Sequence, residues 1–250
     1  MTTVRAAAHV HSEWSYDANW PLAKIADVFA ARGYDVVLMA EHERGFDDAR
    51  WSEYRAACEE ASNGRIVLVP GIEYEDSDNV VHIPVWGEGV PFLGLGRPTL
   101  ELLEAARGEG AFTVLAHPWR RDAASRFRSE WTPLLGAVEI WNRQYDGIAP
   151  HPEGRTLAER EHLPPFVSLD FHTSRQLFPL AMKLELDGPP APGSVVAALL
   201  AGRFQPELRG MPAQRFTRGV PGATLRVAEF GRRRLRRPAR SLQRRLGRVD

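Results

Sequence analysis

The sequence predicts an α/β fold whose parallel sheet closes into a barrel, and three observations carry that expectation. Short β-branched or apolar runs alternate with longer stretches of helical spacing along most of the chain. The 250 residues, 44% hydrophobic and 26% charged, suffice for one large domain with a substantial core. Histidines and carboxylates recur at the ends of the apolar runs, as expected where strand ends share one rim. The same composition excludes a disordered tail protein. The single cysteine, Cys58, cannot pair within the chain, which excludes a disulfide-stapled miniprotein and implies a reducing compartment. No apolar run approaches the roughly 20 residues of a membrane span. The opening MTTVRAAAHVHSEW lacks the charged-then-apolar order of a signal peptide, so a cytoplasmic location is expected.

The elements follow in order. A strand over Val4–Val10 leads to a helix over Pro21–Arg32, with Pro21 suited to a first helical position and Gly33 to a helix exit. A strand is expected at Tyr34–Ala40, a helix at Asp48–Ser62, strands at Ile66–Tyr74 and Val80–Trp86, and a helix at Thr99–Arg107. Further strands are expected at Ala111–Ala116, Ala137–Trp141, Phe166–Leu169 and Met182–Leu186. GPPAPG, Gly188–Gly193, can be neither helix nor central strand, and a short helix follows at Ser194–Ala201. Residues 1–209 read as one domain, and residues 210–250 as a linker with an Arg-rich C-terminal extension.

Charge is unevenly spread. The formal net charge is zero, from 32 basic and 32 acidic residues, yet Arg226–Asp250 holds ten arginines against two acids. That segment carries +8 and residues 1–225 carry −8. A solvated arginine run is the favoured reading of residues 226–250. Contact with anionic lipid comes second, with Leu235, Leu242, Leu246 and Val249 as the apolar side. Phosphate contact with nucleic acid comes third, since Phe230 stands alone and no aromatic interleaving supports base stacking. Pro238 is expected to interrupt any single helix there.

The residues with chemical potential lie at strand ends. In HVH, positions i and i+2 of a strand face the same side, so His9 and His11 can both point into a barrel mouth. LDFHT repeats the arrangement with Asp170 and His172, and barrel closure would bring first and last strands together. Asp17, Glu41 and His42 in AEH, Glu73 in GIEYE, His82 in VVHIPVW and His117 in VLAHP lie between. His9, His11, Asp17, His42, Glu73, His82, His117, Asp170 and His172 exceed what one tetrahedral ion can use, so two or three divalent ions fit the set. Mixed imidazole and carboxylate ligands suit manganese, iron or zinc alike.

The order HxH, EH, GIE, single histidines and a closing DxH resembles the polymerase-and-histidinol-phosphatase (PHP) superfamily over about residues 4–209. Amidohydrolases share the opening HxH but usually end on a lone aspartate and often use a carbamylated lysine, and neither Lys24 nor Lys183 stands in a fitting place. The resemblance implies a distorted (β/α)7 barrel with a three-metal site. It assigns His9, His11, Glu73 and Asp170 to one metal. It assigns Glu73, His82 and His117 to a second, and Asp17, His42 and His172 to a third. Ala7 and Glu41 stand where the family often has aspartate, which bears on tuning and metal preference. Cations about 3.5–4 Å apart would acidify a water and stabilise the attacking and leaving oxygens of a phosphate ester. Arg44, Arg120, Arg121, Arg143 and Arg175 lie near the rim, and Arg120 and Arg175 are favoured as the phosphate clamp.

Other residues carry plainer readings. His151 and His162 fall in a polar stretch and are assigned to the solvated surface. Asp76 and Asp78 read as a turn, Glu43 and Glu75 as exposed neighbours, and Cys58 as a small buried hydrophobe. Trp119, Trp141 and Tyr145 admit two readings, substrate lining and rim packing. The expected activity is hydrolysis of a small-molecule phosphomonoester by a two- or three-metal cluster. The rivals are a phosphodiesterase or exonuclease on nucleotides or short nucleic acid, and a metal-binding module without turnover that contacts a partner or membrane through its tail.

Overall fold

The chain forms β1 (Thr2–Val10), α1 (Leu22–Ala30), β2 (Val36–Met39), β3 (Glu41–His42), α2 (Asp48–Ala61), β4 (Val67–Val69) and β5 (Ile72–Glu75). It continues through β6 (His82–Trp86), α3 (Thr99–Gly108), β7 (Phe112–Leu115), β8 (Ala137–Asn142), α4 (Arg143–Asp146) and α5 (Pro152–Arg160). Then come β9 (Pro165–Ser168), β10 (Leu180–Leu186), α6 (Pro192–Leu200), β11 (Phe204–Leu208), β12 (Met211–Pro212) and α7 (Gly219–Leu246). The structure is a computed structural model that describes residues 1–246, with side chains through Leu235.

Local chemistry accounts for the elements. Leu22, Ile25, Ala26 and Phe29 recur at helical spacing and form the buried stripe of α1. Asp47 caps α2 by accepting a hydrogen bond from the Arg50 amide at 2.8 Å. One expected strand is divided, and another is followed at once by an unexpected one. The Tyr34–Ala40 run gives β2, with β3 directly after it, and the Ile66–Tyr74 run breaks at Pro70 and Gly71 into β4 and β5. Pro70 has no amide to give a ladder, and Gly71 lets the backbone pass against the Trp86 ring. At both breaks the chain crosses from one sheet to another.

The result is a mixed α/β architecture of two six-stranded sheets, ordered β12-β11-β10-β1-β2-β4 and β3-β5-β6-β7-β8-β9. The expectation of wholly parallel pairing is corrected. β1–β2, β2–β4, β3–β5, β7–β8 and β8–β9 are parallel, whereas β5–β6, β6–β7, β1–β10 and β10–β11 are antiparallel. No helix separates β5 from β6, and a link that short cannot make a parallel crossover. The sheets meet where β1 runs beside the segment after β9. There Leu169 N donates to Ala8 O at 3.0 Å, Phe171 N to His9 O at 2.9 Å and His11 N to Phe171 O at 2.9 Å. The apolar core lies between the sheets and helices, with Trp86, Trp141, Phe166 and Phe171 among its largest fully buried side chains.

Beyond the strands, the chain turns back. β12, a short 3-10 turn over Ala213–Phe216 and then α7 follow one another, and α7 runs without a break through Pro238, against the expected interruption. Of the apolar side expected for the tail, Leu235 is 73% exposed, while Leu242, Leu246 and Val249 lie outside the residues whose side chains are described.

A methyl group at Gly71 would collide with the Trp86 indole and the Met39 carbonyl. Gly71→Ala is therefore expected to destabilise the protein by about 1–3 kcal/mol, read as a lower urea midpoint. An unchanged midpoint would show that the crossing tolerates a side chain.

Candidate metal centre

β1 ends in a distortion. Its pairing with β2 shifts register between Ala8 and Val10, and His9 adopts φ 60° at the shift. Such a bulge re-aims a side chain. His9 and His11 do face one centre, with ring centroids 5.1 Å apart, but through this bulge and not through simple strand alternation, since His11 lies just past β1. The register of β3 on β5 sets His42 beside Glu73. β6 contributes His82, opposite Glu75. His117 follows β7 and Asp170 follows β9, and both have left-handed backbones, φ 25° and 47°.

All these side chains converge on Glu73. Its Oε1 lies 3.1 Å from His9 Nε2, 2.8 Å from His82 Nδ1 and 3.2 Å from His117 Nε2. Its Oε2 lies 3.2 Å from His42 Nδ1 and 3.6 Å from His11 Nε2. Asp170 Oδ1 is 3.6 Å from His11 Nε2 and 3.4 Å from His172 Nδ1, and its Oδ2 is 3.8 Å from His117 Nε2. Asp17 sits at the solvent edge, its Oδ2 3.3 Å from His42 Nε2 and 3.2 Å from His172 Nε2. The nine residues read from the sequence are thus brought to one place. His82 meets Glu73 through Nδ1 and turns its Nε2 outward, 3.0 Å from Arg120 Nη1.

A second ring of residues, of which the sequence singled out only Glu41, fixes the imidazoles. Glu139 on β8 is 3.1 Å from His9 Nδ1 and accepts hydrogen bonds from the His117 amide and Asn142 Nδ2, each at 2.8 Å. Asn142 Nδ2 also donates to Asp170 Oδ2 at 3.2 Å. His11 Nδ1 lies 3.1 Å from Ser15 Oγ, and Ser15 donates to Glu41. Glu41 also accepts from the Ser12 amide at 3.0 Å. These partners place the proton of His9 and His11 on Nδ1 and turn the Nε2 lone pairs inward. The signal available in the sequence was one glutamate inside an otherwise apolar strand, AVEIW.

The inward nitrogens supply a test of metal fit. His9 Nε2, His11 Nε2 and both ring nitrogens of His42 are buried without a hydrogen-bond partner, although carboxylate oxygens stand close by. Buried polar atoms ordinarily have partners. Three groups, His11–His42–His172, His9–His11–Asp170 and His9–Glu73–His117, offer ligand atoms all within 4.8 Å of one another. Imidazole nitrogens with carboxylate oxygens at this spacing fit divalent transition metals.

Electrostatics leave the rings in different charge states. Burial alone would raise the Glu73 carboxyl, but His9, His82, His117 and His42 hold it well below its usual range. Burial and the neighbouring rings of His172 and His42 push His11 well down, which keeps it neutral and able to ligate. Burial opposes charge on His42, yet Asp17 and Glu73 carry it up to about 10. The expectation that Glu43 is exposed is corrected: it is buried, burial pushes its carboxyl up to about 7, and it accepts a hydrogen bond from Gly96 N at 3.0 Å.

The arginines divide. Arg120 stands at the His82 edge, donating to Asn79 O at 2.7 Å and to Tyr145 Oη at 2.9 Å. Arg121 donates to Asn79 O at 3.2 Å, and Arg44 lies over the Tyr16 ring at 5.7 Å. Arg143 and Arg175, with Arg232 of α7, line a cavity of about 420 Å³ that opens on Asp17 and His172. Gln144, Thr173 and Gln176 complete its lining, so every wall is polar. Tyr145 is 39% exposed, with its ring 4.8 Å from His117, whereas Trp141 is fully buried. Trp119 stacks on His151 at 4.8 Å, and His162 is exposed.

No protein-family model and no curated protein matches the chain. Solved structures do. A two-domain protein from Bacteroides vulgatus ATCC 8482, containing a predicted PHP-like metal-dependent phosphoesterase, matches 83% of this chain and 65% of its own length. Its identity is 17% and its TM-score 0.62. PsfC from Pseudomonas syringae PB-5123 matches 86% of this chain and 95% of its own length at 18% identity and TM-score 0.64. The lesion-specific endonuclease PfuEndoQ from Pyrococcus furiosus matches 82% of this chain and 58% of its own length at 14% identity and TM-score 0.56. This chain therefore spans just under two thirds of the Bacteroides protein and less of the endonuclease. At these identities the likeness is one of fold.

Glu139 binds three parts of the centre without facing a metal position itself. Glu139→Gln is expected to weaken zinc binding about 10–100-fold, measured by competition with a chromogenic chelator. A competition curve matching the wild type would show that the centre does not depend on it.

Proposed function

We propose that this chain, with its PHP-type fold, is a metal-dependent phosphoester hydrolase acting as a phosphomonoesterase on a small molecule. The observation that carries the proposal is the set of partnerless, inward-facing imidazole nitrogens around Glu73 and Asp170, beside an arginine-lined cavity. Two or three divalent ions, manganese, iron or zinc, would be held by three sets. The first is His9, His11, Glu73 and Asp170. The second is Glu73, His82 and His117, and the third is Asp17, His42 and His172. Bound cations would supply Lewis-acid stabilisation of phosphoryl oxygens and a lowered pKa for water.

The protein's own residues do the rest. Glu139 and the Ser15–Glu41 pair hold the rings of His9 and His11 with Nε2 forward. Arg120, steadied by Asn79 and Tyr145, and Arg175, on the cavity wall, are assigned to clamp phosphoryl oxygens. The all-polar cavity of about 420 Å³ suits a compact phosphorylated molecule better than an apolar one. A reducing compartment such as the cytoplasm is supported by Cys58, which is free and buried. Among the described residues, no helix is long and apolar enough to cross a membrane.

A second reading, a phosphodiesterase or nuclease, is favoured by the likeness to an endonuclease and by the arginines of the C-terminal segment. 4-Nitrophenyl phosphate and its bis-ester separate the two: faster cleavage of the monoester supports the first reading, faster cleavage of the bis-ester the second.

His11→Ala and Asp170→Ala should each lose at least one metal per chain by elemental analysis. Turnover should fall about 10²-fold or more, with far-ultraviolet circular dichroism unchanged. Wild-type metal content in both variants would defeat the proposal.

A further inference from the structure

We infer that the C-terminal helix completes the substrate pocket, with Arg232 of α7 binding a phosphoryl oxyanion in the cavity beside Asp17 and His172. The inference rests on the hydrolase reading for its substrate, but the pocket itself stands on the geometry alone.

Arg232 lines the cavity together with Arg143 and Arg175, against one acid, Asp17. Two of these arginines come from the segments after β8 and β9, and the third comes from the far end of the chain. A residue so distant in sequence needs a device to hold it there, and Glu229 supplies one. Glu229 is 6% exposed. It receives Arg232 Nε and Nη2, each at 2.6 Å, Arg233 Nε at 2.6 Å and the Ile148 amide at 3.1 Å. One carboxylate thus serves two guanidinium groups and an amide of the core, and positive charge is left over at the pocket wall. Bidentate pairing fixes the plane of the Arg232 fork.

The core is shaped to receive this contact. Gly147 has φ 80°, and a Cβ there would collide with Glu229 and with Arg232 Nη2. Arg233 Nη2 donates to Tyr145 O at 2.9 Å and Asp146 O at 3.2 Å, holding the end of α4. That short helix carries Arg143 and Gln144 into the same cavity. The helix therefore supplies one binding residue and steadies the segment that supplies two more lining residues. Arg234 provides the contrast: it lies over the Phe230 ring at 4.7 Å and lines no wall of the cavity.

The test is calorimetric titration of inorganic phosphate into the full-length protein purified without added chelator. Arg232→Ala is expected to weaken phosphate binding about ten-fold or more, as loss of a charged hydrogen bond does, while Arg234→Ala, with the same charge removed, leaves it unchanged. Should Arg232→Ala fail to fold, Arg232→Gln carries the same expectation. Glu229→Ala, a positioning change, should raise KM for 4-nitrophenyl phosphate about ten-fold while kcat stays within about two-fold, whereas mere loss of folded protein would lower kcat. Phosphate affinity unchanged in the Arg232 variants, an equal loss in Arg234→Ala, or no phosphate binding by the wild type would each overturn the inference. Arg232-dependent phosphate binding in a protein that cleaves no phosphoester would uphold it and remove the hydrolase reading instead.

Discussion

A single buried carboxylate, Glu73, is what the rest of the centre is arranged around. Five imidazoles approach its two oxygens within 3.6 Å, and it is 1% exposed. An isolated carboxylate at that depth would be costly, and burial alone would drive it to its neutral form. Positive charge must therefore be close, whether on protonated rings or on cations held by neutral ones. Around Glu73, the last residues of the surrounding strands depart from regular geometry.

Those departures share one support. His9, His117 and Asp170 all have left-handed backbones, a conformation that costs non-glycine residues about 1–3 kcal/mol each. Glu139 meets the His9 ring and the His117 amide, and Asn142, bonded to Glu139, meets the Asp170 carboxylate. Two neighbouring side chains of β8 thus tie down the three strained positions that face Glu73. The hydrogen bonds that offset this strain come from a strand that offers the centre nothing else.

Much of this was legible in the sequence, and the gaps have physical causes. Histidines and carboxylates at the ends of apolar runs are rare enough together to be read as one site, and all nine are brought together. Helices with a clear apolar stripe or a capping aspartate, α1 and α2, were found within a residue or two. α5 was missed because PEGRTLAER is polar overall, its buried stripe being only Gly154, Leu157 and Ala158, and β11 because FQPEL has a proline at its centre. The crossings at Ala40 and Pro70 were invisible because neither the apolar run of β2 nor the Pro70–Gly71 break reveals which sheet the following segment joins. Glu139, Asn142 and Ser15 were passed over because residues that act by orienting others carry no spacing signature. The contact of Glu229 with Ile148 joins segments far apart in sequence, so nothing local announces it.

The union of β1 with the segment after β9 has a further consequence for how the protein comes into being. His9 and His11 are made early, yet the hydrogen bonds that seat them run to Leu169 and Phe171, and the carboxylate they share with His172 is Asp170. A growing polypeptide on the ribosome cannot assemble this cage until those late residues have emerged. Completion of the cage is thereby deferred until Leu169–His172 have been made, and a product terminated before them would carry His9 and His11 without the segment that seats them.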